Sequence, residues 1–153
     1  MKLSALYQIF LDCQSVTTDS RNCPDGSLFI ALKGESFNGN AFAKLALDSG
    51  CAFAIIDEIQ YAVEGDQRYI LVDDCLQTMQ QLANYHRRQL GTRVIGITGT
   101  NGKTTTKELI SSVLCQAHNV LYTLGNLNNH IGVPTTLLRL KPEHDLAVIE
   151  MGA

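Results

Sequence analysis

A chain of 153 residues, 45% hydrophobic and 18% charged, can build one medium domain or two small units and is too apolar to be a disordered tail. Its formal net charge of −3 excludes a broad basic field for nucleic acid or an anionic membrane, so any phosphate must be held by local geometry. No apolar run approaches the ~18 residues of a membrane span, and the opening MKLSALYQIFLD is too interrupted by polar and acidic residues for a signal peptide; a cytoplasmic protein is expected.

The first dozen residues place Leu3, Leu6, Tyr7 and Phe10 at helical spacing, which predicts a short helix packed on one face. A β-prone piece, Val16 to Thr18, is followed by a Pro24-Asp25-Gly26 turn and an apolar strand from Leu28 to Leu32 that ends at Lys33-Gly34. Asp19, Ser20 and Arg21 close the first strand, where they can either bind a polar ligand or cap the turn. NAFAKLALDSG predicts a helix with Asn40 as N-cap, Phe42, Leu45 and Ala46 inward, and Gly50 just past its end. Cys51 to Ile56 reads as a buried strand, so strand, helix and strand form a parallel βαβ unit. Tyr69 to Val72 is a further strand.

From Asp74 to Leu90 the apolar positions Leu76, Met79, Ala83, His86 and Leu90 follow one helix face, Asp74 and Gln77 have capping-box spacing, and Gly91 ends the helix. His86 reads as a packed histidine, since no other metal-ligand residues cluster with it. The domain boundary is expected here, giving units 1–90 and 91–153. The five cysteines, Cys13, Cys23, Cys51, Cys75 and Cys115, contain no C-x-x-C pair and are expected to be reduced thiols.

The second unit opens with RVIGITGTNGKTTTK: a strand (Val94, Ile95, Ile97), a turn with Gly99 and Gly102, then Lys103 and three threonines starting a helix. Such a junction aims backbone N–H groups and the positive helix end at one point, which suits a phosphate. Lys103 adds a cation for the outer phosphates, and the hydroxyl of Thr104 can ligate magnesium. The general pattern G-x-x-x-x-G-K-[ST] is not met, because Ile97 stands where its first glycine belongs. The alternative is an ordinary strand-turn-helix junction with an incidental lysine. On the following helix, Leu109, Ile110, Val113, Leu114 and Ala117 are expected to face inward, with Lys107, Glu108, Ser111 and Gln116 outward. A short strand (Val120 to Tyr122), the turn GNLNNHIGVP, a helix from about Pro134 to Leu140 and the strand Leu146 to Ile149 complete the chain. Glu150, an acid closing an apolar strand, stands where a second magnesium contact is expected; the competing reading is a surface carboxylate. The unit has fewer strands than a doubly wound sheet of about five or six, so the chain is expected to end inside a domain.

TGTNGKTTT resembles the ATP loop of the Mur ligase family, ATP-dependent amide ligases of peptidoglycan synthesis, and folylpolyglutamate synthases carry a similar loop. Within the family, GNLNNHIGVPTTLLRL and DLAVIEMGA are similar to the branch that joins D-alanyl-D-alanine to UDP-N-acetylmuramoyl-tripeptide, and TTDSR, GSLFIALKGESFNGNAF and SGCAFAI are similar to its uridine-nucleotide-binding domain. The resemblance covers nearly the whole chain and about the first third of a full-length ligase. It implies an α/β fold: a small UDP-binding domain followed by the beginning of a phosphate-loop, parallel-sheet domain.

By the same resemblance, Gly99, Thr100, Asn101, Gly102, Lys103, Thr104 and Thr105 hold the ATP phosphates, with Lys103 catalytic, and Thr104 and Glu150 hold Mg2+. Ser20 and Arg21 lie at the uracil; Lys33, Gly34, Asn38 and Asn40 lie near the UDP-sugar; Asn126, Asn128 and Asn129 line the cleft where the muramoyl substrate meets ATP. Members commonly carry aspartate at the place of Asn38 and histidine or arginine at that of Asn40. The implied chemistry is an acyl-phosphate formed from the tripeptide carboxylate and ATP, then displacement of phosphate by the amine of D-alanyl-D-alanine. The parent is expected to act as a monomer, without nucleic acid or membrane insertion, and the 153-residue piece to be inactive alone. Three other readings stay open: a stand-alone UDP-nucleotide-binding module, a different Mur ligase such as the diamino-acid-adding enzyme, and a generic phosphate-loop NTPase switch.

Overall fold

The computed structural model describes residues 2–152; Met1 and Ala153, the outer limits of the two expected units, lie outside the described residues. Its contacts divide the chain into two compact units, one up to Leu82 and one from Ala83 onward.

The first unit begins with helix α1 (Leu3–Asp12), which buries Leu6, Tyr7 and Phe10. Those positions share one helical face, and the rings of Tyr7 and Phe10 stack with centroids 5.8 Å apart. Four strands follow: β1 (Val16–Thr17), β2 (Leu28–Ile30), β3 (Phe53–Ile56) and β4 (Tyr69–Leu71). They pair in that order and every pair is parallel. The continuous apolar runs in β2 and β3 suit central strands of a parallel sheet, which are covered on both faces: Leu28, Phe29, Ile30, Ala54, Ile55 and Ile56 are all buried.

Between β2 and β3 the chain makes a 3-10 turn (Gly39–Phe42) and then helix α2 (Ala43–Asp48), the expected crossover. Its details depart from the sequence reading. Phe42 and Leu45 are exposed, and the buried face belongs to Ala43, Ala46 and Leu47, because the start of the helix is a 3-10 turn with a different angular step. Asn40 is not a cap. Asn38 precedes the turn and accepts the Asn40 amide, while Asn40 itself is buried.

Helix α3 (Cys75–Leu90) is capped by Asp74, whose Oδ1 accepts the Gln77 amide at 2.7 Å, as the capping-box spacing predicts. Cys75, Met79, Leu82, Ala83 and His86 are buried along it. Among the described residues, all five cysteines are free.

The second unit holds a three-stranded parallel sheet in the order β5 (Arg93–Ile97), β7 (Leu146–Glu150), β6 (Val120–Tyr122). Helix α4 (Lys103–Leu114) leads from β5 towards β6, and α5 (Gly132–Leu137) precedes β7. Helix α5 thus starts two residues earlier and stops three residues sooner than expected. Leu121, Leu140, Ala147 and Ile149 form the core, with Leu90, Val94, Val133 and Leu137 packed on it.

Helix α4 corrects the sequence reading most strongly. Lys107 and Ser111, assigned outward, are buried, whereas Leu109 and Val113, assigned inward, are 64% and 71% exposed. The apolar stripe of this helix is therefore not its packed face here. A lysine can occupy the interior only if its ammonium finds acceptors, and its two carbonyl acceptors lie far along the chain, where helical periodicity cannot register them.

Candidate functional site

Strand β5 ends at the buried Ile97 and the chain turns through Thr98 to Gly102 into α4. Gly99 and Gly102 take φ values of 142° and 76°, a region that L side chains rarely adopt. A Cβ at either would meet nothing within 4 Å, so these glycines serve the backbone path and leave open space beside it. The bond from Thr106 N to Gly102 O, 2.9 Å, opens the helical ladder, and the amides ahead of it have no partner within the helix. Such amides, with the positive helix end, favour an anion. Lys103, at the first helical position, is half-buried and donates to Gly99 O at 2.5 Å. Thr100, Asn101, Thr104 and Thr105 are exposed.

At the far end of β7 the structure brings three of the expected residues to one atom. Glu150 Oε1 accepts from Thr104 Oγ1 at 3.1 Å and from Asn128 Nδ2 at 2.8 Å. Glu150 is 1% exposed, and its Oε2 is buried with no hydrogen-bond partner among the described residues. Its amide donates to Thr123 Oγ1 at 2.9 Å. A buried acceptor left unmatched is costly and asks for a ligand-borne donor or cation. The donor set suits magnesium, which takes one or two protein oxygens and completes its shell with phosphate and water. Among the described residues no cluster of three or more His, Cys, Asp or Glu is arranged to hold a metal ion, so protein ligands alone do not form a metal cage.

The asparagine turn divides its work. Only Asn128 reaches Glu150. Asn129 Oδ1 accepts the amides of Ile131 and Gly132, at 3.1 and 2.7 Å, and so caps α5. Asn126 is exposed, and its carbonyl accepts the Asn128 amide at 2.7 Å.

In the first unit, Ser20 and Arg21 follow β1, Lys33 to Asn40 follow β2, and Asp57 and Glu58 follow β3. All of them lie past the carboxyl edge of one parallel sheet, the edge at which such sheets bind ligands. Arg21 is exposed and forks onto Asp19, with Nε 2.9 Å from Oδ1 and NH2 2.8 Å from Oδ2. This side-chain bond and the Arg21 amide hold the Asp19 carboxyl down at about 2. Ser20 is half-buried, and its carbonyl accepts from the Cys23 thiol at 3.4 Å.

Lys33, Asn38 and Asn40 converge on a pair of acids. Lys33 Nζ lies 3.1 Å from Asp57 Oδ1 and 3.4 Å from Glu58 Oε1. Asn40 donates its Nδ2 to Asn38 Oδ1 and to Asp57 Oδ1, at 2.9 and 2.8 Å, and its Oδ1 accepts the Asp57 amide at 3.0 Å. Asn38 Nδ2 donates to Glu58 Oε1 at 3.0 Å. Burial pushes the Asp57 carboxyl up, but hydrogen bonds from Asn40, Lys33 and the Cys75 amide together hold it below its ordinary value. The bond to Asp57 raises the Lys33 ammonium above its own. Gly34 donates its amide to Phe37 O at 3.0 Å and is exposed.

Sequence reasoning passed over Asp57, Glu58, Thr123 and Lys107. The first two carried a usable signal: they directly follow the apolar run Cys51 to Ile56, as Glu150 follows Leu146 to Ile149. Lys107 and Thr123 carried none.

Two family models match the chain: the Mur ligase family, catalytic domain, over residues 12–87, and the Mur ligase middle domain over residues 97–153. The chain is similar to the UDP-N-acetylmuramoyl-tripeptide--D-alanyl-D-alanine ligase of Bacillus subtilis (strain 168), 47% identical over 137 residues, covering 90% of this chain and 30% of that protein. Among solved structures it resembles MurF from Acinetobacter baumannii, with a TM-score of 0.85, 36% identity, and 99% of this chain and 36% of that one covered. It also resembles the MurF ligase from Thermotoga maritima in complex with ADP, with a TM-score of 0.81, 30% identity, and 94% and 33% covered. The chain spans about 30% of the length of the curated relative it matches.

Proposed function

The chain belongs to the Mur ligase family, and from that premise we propose that it serves an ATP-dependent ligase joining D-alanyl-D-alanine to UDP-N-acetylmuramoyl-tripeptide. The observation that carries this reading is the meeting of Thr104 and Asn128 at Glu150 Oε1, with Oε2 left unmatched, beside a glycine loop that opens a helix. In the reaction a carboxylate must approach a polyanion, and that approach requires charge neutralisation. The amides of Gly99 to Thr105 and the Lys103 ammonium bind the phosphates. For Lys103 this means exchanging the Gly99 carbonyl for a phosphate oxygen, a stronger, charge-assisted bond. Thr104 and Glu150 hold magnesium, which, when bound, offsets charge on the outer phosphates.

Asn126, Asn128 and Asn129 form the cleft wall that the muramoyl substrate meets. Lys33 and Gly34 face the UDP-sugar, and Ser20 and Arg21 the uracil. Asn38 and Asn40 act through Lys33, since their amides are already engaged with Asp57, Glu58 and each other. Residues 1–90 are the UDP-substrate unit and 91–153 part of the ATP unit. A monomer in the cytoplasm belongs to the same reading; no helix among the described residues is long and apolar enough to cross a membrane.

Calorimetric titration of the chain tests this reading. Separate saturable binding of Mg-ATP and of UDP-N-acetylmuramoyl-tripeptide is expected. Binding of the UDP compound without any of Mg-ATP would favour the stand-alone nucleotide module instead. Binding of Mg-ATP with no affinity for UDP would favour the NTPase switch.

A further inference from the structure

We infer that Lys107 is a positioning residue for the nucleotide site: it pins the turn that carries Asn128 onto helix α4, so that Asn128 and Thr104 converge on Glu150. The inference rests on the reading of Glu150 as the acid of the nucleotide site.

Lys107 is 0% exposed. An ammonium taken out of water is tolerated only where its donors are met. It has three donors and three acceptors: Thr123 O at 2.9 Å, Gly125 O at 3.2 Å and the Glu108 carboxylate at 2.7 Å. Packing alone would accept an apolar side chain of the same length. Two directed bonds instead specify where Thr123 and Gly125 sit.

Those two carbonyls flank the start of the asparagine turn, and the turn leads to the acid. Thr123 Oγ1 accepts the Glu150 amide. Leu127 N donates to Leu124 O at 3.3 Å and Asn128 N to Asn126 O at 2.7 Å, which places the Asn128 amide group 2.8 Å from Glu150 Oε1. The Asn128 carbonyl in turn accepts the amide of Gly152 at 2.6 Å. Thr104 and Lys107 are three residues apart on one rigid helix and share a face. Helix α4 therefore holds Glu150 twice, directly through Thr104 and through Lys107, the turn and Asn128. A nucleotide bound at the N-terminus of α4 meets an acid whose placement depends on a lysine one turn further along.

The test is Lys107→Met in the 153-residue chain, read by calorimetric titration of ADP with and without magnesium and by amide hydrogen exchange without nucleotide. Loss of at least tenfold in Mg-ADP affinity, with magnesium-free ADP affinity within twofold of the unmutated chain, is expected. Exchange at Leu127, Asn128 and Gly152 should accelerate at least tenfold while β5 keeps its protection. Equal losses with and without magnesium, faster exchange throughout the unit, or no change in either readout would overturn the inference. Should Lys107→Met fail to fold, Asn128→Ala decides: a loss confined to Mg-ADP supports it, and unchanged Mg-ADP affinity overturns it. An unmutated chain whose ADP affinity gains nothing from magnesium overturns the reading of Glu150 instead, and the exchange measurement still decides whether Lys107 holds the turn.

Discussion

Each unit ends an apolar parallel strand in an acid, β3 at Asp57 and β7 at Glu150, and the two acids are treated in opposite ways. Asp57 has a lysine, an asparagine amide and a backbone amide on it, and both oxygens are matched. Glu150 has both its side-chain bonds on one oxygen, and the other is buried without a partner among the described residues. A buried polar atom is normally matched. The matched acid therefore reads as a device for orienting Lys33, and the unmatched one as the acid to which the proposed magnesium contact falls. Adjacent glycines say the same: Gly99 and Gly102 border open space, whereas a Cβ at Gly39 would lie 2.3 Å from Leu32 O.

The sharpest way to break this contrast is to remove the cation of the open site. Lys103→Ala should weaken Mg-ATP binding by about 100-fold, roughly 3 kcal/mol, as expected for a charged donor to a phosphate in a preorganised site. Its fold should be unaffected, since among the described residues the Lys103 ammonium bonds to its own loop at Gly99 O. Calorimetry beside a urea melt checks both halves.

Neutralising the two acids should then affect stability differently. Asp57→Asn removes the nearer of the two carboxylates on Lys33 and should cost about 1–3 kcal/mol in urea unfolding. Glu150→Gln removes a buried charge with an unmatched oxygen and should leave the ligand-free chain unchanged or up to about 1 kcal/mol more stable. A comparable loss from both substitutions would erase the distinction.

Acid unfolding sharpens it further. A carboxyl held below its unfolded value, near 3.9, contributes stability that is present above that value and lost as pH falls through its folded value. Asp57 is such a group, so the unmutated chain should lose stability below about pH 4 and Asp57→Asn should flatten that slope. For exposed Asp19, NMR titration should give a midpoint at about 2, returning toward the ordinary carboxyl value in Arg21→Ala.

Much of this was legible in the sequence because it is local. A strand running into glycines, a lysine and a threonine specifies a glycine turn that opens a helix without knowledge of the rest of the chain, and the acid closing Leu146 to Ile149 marks its own position. The Asp74–Gln77 cap is similarly local. What failed depended on partners distant in sequence. Asn40 looked like a cap until Asp57, 17 residues later, engaged both ends of its amide. Lys107 looked solvent-facing because its carbonyl acceptors lie 16 and 18 residues on. The inverted face of α4 gives the smallest expected effect: Leu109→Ser and Val113→Thr should each change stability by no more than about 0.5 kcal/mol, as exposed substitutions do. Losses above about 2 kcal/mol would return those side chains to a core.

The central claim, that Glu150 is left unmatched for a magnesium ion that accompanies ATP, is tested most directly by measuring ATP affinity with and without magnesium in the unmutated chain and in Glu150→Gln. The account predicts at least tenfold tighter binding with magnesium in the unmutated chain and no such gain in Glu150→Gln. A magnesium gain that survives the substitution intact would contradict it.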